Sequence, residues 1–459
     1  MFNNNDKIGK KYIRNFIVYM LIINAIFYFT FKIFNIESNF SPKSGKIKKI
    51  KINGGKSIKI GIISDMQLDK DNKNNMFKYC ANNLYNSLKV FKNNKIDILI
   101  IAGDTTNNGQ IKNYLYFKNI FYSVYNDIKK PIILSVMGNN DYRDSKFSIL
   151  EHQKIFFKFM NSYPYAHYVI NNYNFIFWSN DNQNTNENGV QKYSWIKSTL
   201  ENAKKNKNKE GDPIFVITHM PPGGTIYGSE KHHKGIFQIL KNYPEVICIS
   251  GHSHYSLKNP KSIWQGDFTA INTQSISYLG LDQKKYYNSE DVFSNSAKNN
   301  SMGLIAYLNE ESVIFDRIEF STGETFGESW KIDFPIEKSN FIYAYDKRNI
   351  KIKPSFTDKS EIKIEKTMEN NNNEKYIVFD PATHSDFVHS YKIILKSADK
   401  SNDKIELLYY SDYYKNKDLR KKIMKFRLPE IEKGKYNVEI YAIDFFGNTS
   451  NPKIGFLKI

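Results

Sequence analysis

Hydrophobic and polar positions change rhythm three times along this chain. An uncharged apolar run occupies Asn15–Phe31. From about residue 57, short β-branched runs alternate with longer stretches whose apolar residues recur at helical spacing. The short runs predict buried strands at Ile58–Ser64, Ile96–Ala102, Pro131–Met137, Tyr173–Trp178, Pro213–Thr218 and Val246–Ser250. The longer stretches predict helices over Asn75–Asn93, Gln110–Tyr125, around Phe147–Met160 and near Gln191–Lys205. Strands alternating with helices imply an α/β architecture with a buried, largely parallel sheet. Phe268–Thr273, Met302–Leu308 and Ser312–Phe320 extend the strand series, and the polar segment Asn288–Ser301 is expected to be a long loop.

After Pro335 the helix–strand rhythm stops. Tyr376–Phe379, Tyr391–Leu395, Lys404–Tyr410, Ile423–Leu428, Tyr436–Ile443 and Ile454–Ile459 read as strands. Glu369–Glu374 reads as a loop, and Asp444–Asn448 as a hairpin-like turn. Many short strands in about 100 residues predict an all-β sandwich, and the ending resembles immunoglobulin-like or fibronectin type III-like modules of bacterial surface proteins. The expected domains are 57–335 and 340–459. Upstream, the seventeen residues Asn15–Phe31 follow Lys7, Lys10, Lys11 and Arg14. That length is at the short end of the roughly 17–25 residues that span a bilayer. With no A-x-A-like site behind it, residues 1–34 read as a cytoplasmic tail with an uncleaved anchor, a cleaved signal peptide being the alternative. Residues 35–56 are the expected tether. A short basic N-terminus is hard to translocate, so the body is placed outside the cytoplasm at a bacterial cell surface, although Lys43, Lys46, Lys48, Lys49 and Lys51 blur the charge count.

Composition adds two exclusions. Lysine and arginine total 66 against 47 acids, a net charge of +19 over 459 residues. The cations are spread along the chain, with no basic stripe interleaved with aromatics, so no nucleic-acid partner is indicated. Cys80 and Cys248 lie in helical and apolar runs without zinc-type spacing, and are expected as buried free thiols.

The candidate chemistry sits just past the strands. The first ends in Asp65-Met66-Gln67, the second in Gly103-Asp104 and onward to Gly109, the third in Gly138-Asn139-Asn140-Asp141. Thr218 is followed by His219, and Ser250 by Gly251-His252-Ser253-His254. Each has an ordinary reading alone: an aspartate capping a helix, Gly-Asn making a turn, a histidine satisfied in the core. Five successive strand ends carrying carboxylate, amide and imidazole point instead to one rim, where open α/β sheets place ligands. Buried charges gathered there need a counter-ion, and a metal pair supplies one.

The order D-x-[H/Q], G-D-x(n)-G, G-N-x-D, H, G-H-x-H resembles the calcineurin-like metallophosphoesterases over about residues 57–335. That resemblance implies a four-layer α/β/β/α sandwich around two divalent metal ions. It implies Asp104 as the bridging ligand. Asp65, Gln67 and His254 would complete one site, and Asn139, His219 and His252 the other. Mixed oxygen and nitrogen ligation suits Mn, Fe or Zn. Two such ions about 3.5–4 Å apart hold a hydroxide and stabilise both oxygens of an in-line displacement at phosphorus. Two residues depart from the pattern. Gln67 stands where many members have histidine, and Asn140 stands where the family has a histidine thought to protonate the leaving group. Asparagine donates a hydrogen bond but no proton; His232 or His233 are the replacements within the next loop, with a solvated turn as their ordinary reading. Arg143 is a candidate phosphate contact, or else a surface ion pair. Two functions follow: an anchored hydrolase of phosphodiesters or phosphoanhydrides in small-molecule or cell-envelope substrates, or a non-catalytic surface protein that keeps the fold.

Overall fold

In the strand starting at Ile58, the side chains of Ile58, Ile60 and Ile62 enter one core while Ile63 enters another. The next strand repeats this, with Ile98 and Ile100 on one side and Leu99 and Ile101 on the other. A strand apolar on both faces must be covered on both, and the fold is the result of doing so twice. The computed structural model describes residues 41–459 except 42, 44–45, 53–56, 73–77, 127–128, 180–187, 208, 233, 283–284, 349–351, 358–360, 370–371, 386, 401–402 and 416–421. The expected anchor Asn15–Phe31 therefore lies outside the described residues, as does His233. Among the described residues, no helix is long and apolar enough to cross a membrane.

The first part of the domain runs β1 (Lys48–Ile50), β2 (Ile58–Ile63), α1 (Cys80–Asn93), β3 (Ile98–Ala102), α2 (Ile111–Val124), β4 (Ile132–Val136) and α3 (Ile149–Met160). It continues through β5 (Tyr165–Ile170), β6 (Tyr173–Trp178), α4 (Asn188–Lys205), β7 (Ile214–Thr218), α5 (Lys234–Leu240) and β8 (Val246–Ser250). β9 (Ile263–Gln265), β10 (Thr269–Asn272), α6 (Ser289–Asn299), β11 (Met302–Leu308), β12 (Ser312–Glu319), β13 (Glu324–Thr325) and β14 (Trp330–Asp333) complete it. One sheet has the order β1-β5-β6-β7-β8-β10-β9, and the other β13-β12-β11-β2-β3-β4 with β14 beside β12. β2, β3 and β4 are mutually parallel, as are β6, β7, β8 and β10, whereas β11 and β12 add antiparallel strands. The sheets pack face to face through residues such as Ile60, Ile100, Phe177 and Ile249. Leu84, Leu88, Phe117 and Phe156 of α1–α3 cover one outer face, and Ile196, Leu200, Ile236 and Leu240 of α4 and α5 cover the other. This is the four-layer α/β/β/α arrangement.

Two expectations give way to packing. Ser289–Asn299 is a helix and not a loop: Val292 joins an apolar cluster and the Phe293 ring meets Tyr278 at 5.6 Å. Within the expected tether, Lys48–Ile50 pairs with Tyr168–Ile170 of β5, a strand whose alternation the histidine at 167 obscured in sequence. His167 is buried there because Asn174 on β6 satisfies its ring at 2.8 Å.

The C-terminal part holds β15 (Lys363–Glu369), β16 (Asn372–Phe379), β17 (Ser390–Ser397), β18 (Lys404–Tyr410), β19 (Met424–Arg427), β20 (Lys435–Ile443) and β21 (Lys453–Lys458). Antiparallel sheets β15-β16-β19 and β18-β17-β20-β21 enclose a core including Ile377, Tyr391, Phe426 and Val438. The asparagine-rich run expected as a loop belongs largely to paired strands, with Glu369 opposite Asn372 and Met368 opposite Asn373. The turn after β20 is as expected: Asp444 Oδ1 accepts from the backbone N–H of Phe446 and Asn448, each at 2.8 Å. Leu279, Tyr286, Tyr410, Tyr413, Tyr414 and Phe445 form a further cluster joining the two parts.

Candidate metal centre

Parallel pairing of β2 with β3 and of β7 with β8 brings their C-terminal ends level. Backbone bonds then continue the register past the strands: Asp65 N–H donates to Gly103 O at 3.0 Å, Gln67 N–H to Asp104 O at 2.9 Å, and Gly251 N–H to His219 O at 2.9 Å. The two sheets are joined at the rim by His252 N–H donating to Asp65 Oδ2 at 2.9 Å. Five of the seven expected ligands, Asp65, Gln67, Asp104, His252 and His254, have φ between 46° and 67°. Left-handed backbone at a side-chain-bearing residue costs about 1–3 kcal/mol and persists where the surroundings over-determine it, which is common at functional sites. Here it turns each strand end so that the side chain faces the rim.

The motif glycines have a steric reason. A Cβ on Gly138 would stand 2.1 Å from Asp104 Oδ1, so only glycine lets the bridging candidate sit against the β4 loop. At Gly251 the demand is likewise closeness, because a Cβ would meet Asp65 Oδ2 and Ser64 Oγ at 2.5 Å. Its φ is not among the positive ones, so closeness and not a left-handed turn is what requires glycine here.

Asp65, Asp104 and His219 present ligand atoms all within 4.8 Å of one another, and all three are buried. His219 Nδ1 lies 2.9 Å from the Ala102 carbonyl, which only accepts, so Nδ1 carries the hydrogen and Nε2 the lone pair of the neutral ring. Around that Nε2 stand Asn139 Oδ1 at 3.1 Å, His252 Nδ1 at 3.3 Å and Asp104 Oδ2 at 3.4 Å. Acceptors facing acceptors need a cation between them, a metal ion or a proton. Burial disfavours the charged ring, but the Asp104 and Asp65 carboxylates overcome it and push His219 up to about 10. Burial, aided by His219, pulls neighbouring His252 down to about 2. Burial opposes ionisation of Asp65 too, yet His254 and His219 hold its carboxyl below the usual range.

The other half is built alike. His254 Nδ1 lies 3.0 Å from the Tyr278 carbonyl, leaving Nε2 directed at Asp65 Oδ1 3.0 Å away. With the lone pair at Nε2 that ring has no hydrogen to give Asp65 Oδ1, which is buried and without another hydrogen-bond partner. The Gln67 amide is 3.4 Å from His254 Nε2 through its nitrogen, and a half-turn would bring its oxygen there. An orphaned carboxylate oxygen beside two imidazoles with fixed tautomers fits divalent cations well.

The expected residues outside the ligand set divide. Asn140 is buried, with its backbone and side-chain N–H groups on Asp104 at 2.8 and 2.6 Å. His232 is half-buried with its ring 4.7 Å from that of His252. Arg143 is exposed at the rim; burial raises the Tyr278 phenol and the nearby Arg143 charge opposes part of that rise. Asp141 is a clamp: it accepts from Thr106 N–H at 3.0 Å, Tyr114 OH at 3.1 Å and Gly138 N–H at 3.1 Å, and burial, then Asp104, raises it to about 6. Sequence reasoning missed the end of β10. There Ser275 Oγ donates to Asp65 O at 3.0 Å, Ser277 Oγ reaches Gln67 Oε1 at 3.5 Å, and the Tyr278 ring lies 4.4 Å from His254. The polar run from Asn272 to Ser277 directly after a buried strand was the available signal.

Residues 58–256 match the family model of the calcineurin-like phosphoesterases. No curated protein sequence matches the chain. Among solved structures, a dimetal phosphatase of Danio rerio is 12% identical with TM-score 0.41, over 60% of this chain and 99% of that one. GAP50, the anchor in the inner membrane complex of Plasmodium, is 16% identical with TM-score 0.43, over 62% and 93%. Purple acid phosphatase PPD1 of yellow lupin, Lupinus luteus, is 12% identical with TM-score 0.42, over 60% and 54%. None of these likenesses is strong enough to transfer an activity. The family match covers five strand ends whose carboxylate, amide and imidazole groups the fold brings together, and residues 58–256 form a calcineurin-like phosphoesterase domain.

Proposed function

We propose that the chain hydrolyses phosphodiesters or phosphoanhydrides in preference to alkyl phosphomonoesters, with Asp104 shared between two divalent ions. Asp65, Gln67 and His254 would hold one ion, and Asn139, His219 and His252 the other. The observation that carries this reading is the buried, unpartnered Asp65 Oδ1 within a cluster of Asp65, Asp104 and His219 ligand atoms no more than 4.8 Å apart. When bound, such ions supply Lewis acidity and an activated water for in-line displacement at phosphorus. The chain's own groups do the rest. Asn139 and His219 orient each other, Arg143 offers its fork of donors to phosphate oxygens from the rim, and Asn140 steadies Asp104. Asn140 has no proton to give a departing alkoxide. General acid assistance contributes about 10²–10⁴-fold, most for poor leaving groups, which supports the stated preference.

The test is kcat/KM over a leaving-group series with the metal-loaded protein. Aryl diesters and anhydrides are expected to react well above alkyl monoesters, and Asn140→His to raise alkyl rates more than aryl rates. A rate indifferent to leaving-group pKa, or equal gains across the series, refutes the assignment. Turnover of nothing by a protein holding two metals leaves the non-catalytic surface-binding reading.

The setting is part of the proposal. The uncharged run Asn15–Phe31 supports a membrane-anchored protein with its catalytic domain outside the cytoplasm, at a bacterial cell surface. Lettered in order, the C-terminal strands form sheets A-B-E and D-C-F-G, an arrangement that supports an immunoglobulin-like or fibronectin type III-like module. Full-length protein is expected to sediment with membranes and resist alkaline extraction; a mature N-terminus beyond residue 34 would establish a cleaved signal peptide instead.

A further inference from the structure

The segment after β10 does two jobs at once. Its Tyr278 carbonyl accepts from His254 Nδ1 at 3.0 Å, and its Gly280 N–H donates to His254 O at 2.9 Å. A few residues on, the same segment is gripped by the C-terminal sandwich. The Tyr410 hydroxyl accepts from Asp282 N–H at 3.0 Å. Asn288 makes a reciprocal pair with the Tyr410 backbone, donating from Nδ2 at 3.0 Å and accepting at Oδ1 at 2.9 Å. Tyr287 N–H donates to Leu408 O at 2.9 Å, and the rings of Tyr286 and Tyr410 stack at 3.7 Å. On its other side, Asp282 accepts from Tyr227 and Tyr255 hydroxyls at 2.6 and 2.9 Å. A second strap reaches the strand end that carries His254, where buried Lys258 donates to Lys415 O at 2.9 Å.

We propose that the C-terminal sandwich is a fixed part of one half of the metal centre, with Tyr410 and Asn288 as positioning residues that hold the Tyr278 carbonyl against His254. This inference rests on the metal reading above. A module used only as a spacer or as an independent binding unit has no need to bond into a loop that sets a ligand's tautomer. Rigid attachment has a chemical use here. The Nδ1–H bond to Tyr278 O is what leaves His254 Nε2 free for an ion, and drift of that carbonyl would release the ring to rotate or change tautomer. Asn139 and His219 take their orientation from each other and from the Ala102 carbonyl at the end of β3, and His252, although it shares the β8 loop with His254, is held by its own N–H on Asp65 Oδ2, so the 278–288 segment bears directly on His254 alone and the coupling is one-sided.

The experiment is a chelator-competition titration of the full chain with a divalent metal, Mn²⁺ or Zn²⁺. Two binding steps are expected, and His254→Ala identifies the step belonging to its half. Direct loss of a group that orients a metal ligand costs about 10–100-fold in affinity, so Tyr410→Phe, acting one link further out, is expected to weaken the His254-dependent step about tenfold. The other step should stay within about twofold on the same scale. Asn288→Ala should act like Tyr410→Phe. The matched control is Tyr391→Phe, whose hydroxyl accepts from Ala382 N–H at 3.0 Å inside the sandwich core, and it should leave both steps unchanged. Equal weakening of both steps by Tyr410→Phe, no weakening, or the same effect from Tyr391→Phe overturns the inference while leaving the metal reading intact. A wild-type protein that takes up no metal pair overturns both.

Discussion

His389 gives the sharpest number the structure offers away from the centre. Its ring lies among Tyr286, Tyr410, Tyr413 and Phe445, with centroids 5.8, 5.6, 5.6 and 4.8 Å away, and Nδ1 is 3.0 Å from Ser390 Oγ. Burial pulls it down to about 4; Asp282 and Asp444 oppose that fall, and Lys285 and Lys261 assist it. Between about pH 6.5 and about pH 4 the unfolded chain binds a proton here that the folded chain refuses, so folding stability falls as pH falls through that window. The contribution is complete above 6.5 and fully lost at about 4. At about 1.36 kcal/mol per pKa unit the swing is about 3 kcal/mol, a ceiling because the residue keeps partial solvent exposure. The assay is denaturant unfolding of wild type and His389→Phe from about pH 7.5 to about pH 4.5, where the difference between the two curves cancels other titrating groups. Wild type should lose up to about 3 kcal/mol relative to the variant on acidification. Curves that stay parallel within about 0.5 kcal/mol would refute the reasoning.

The remaining expectations concern the rim. Gly138→Ala would place a methyl 2.1 Å from Asp104 Oδ1, and should lower both metal affinity and, by about 1–3 kcal/mol, stability, read by chelator competition and denaturant unfolding. Asp104→Ala should reduce bound metal by elemental analysis more than His252→Ala, since it removes the shared ligand; unchanged content in both ends the dinuclear assignment.

The cluster of Asp65, Asp104 and His219 was legible because its components are local signals. A β-branched run followed by Gly-Asp, Gly-Asn or Gly-His marks a strand end that must turn, and the polar residue there has few ordinary uses when five recur in order. The same logic applied to Asn272–Ser277 would have found the supporting hydroxyls, but serine and glutamine after a strand read as loop when no metal-binding side chain stands among them. His232 was ambiguous for a related reason: nothing in Lys231-His232 tells a solvated turn from a ring packed on His252.

Elsewhere local pattern failed where partners were distant. Ser289–Asn299 is too polar to predict as a helix, and it is held by contacts of Val292 and Phe293 that sequence does not announce. β5 was hidden by a histidine that needs Asn174 across the ladder to be buried. By itself the sequence determined the change from an alternating to an all-strand part and the kinds of side chain placed at the strand ends, because period, turn chemistry and side-chain type are properties of neighbouring residues. Only the tertiary structure decided which nitrogen of His219 and His254 faces inward, why Gly251 must lack a Cβ, and that Tyr410 bonds to a loop 128 positions earlier. Those depend on packing between surfaces that meet only once the chain has folded, where an unsatisfied buried polar group costs too much to be left without a partner.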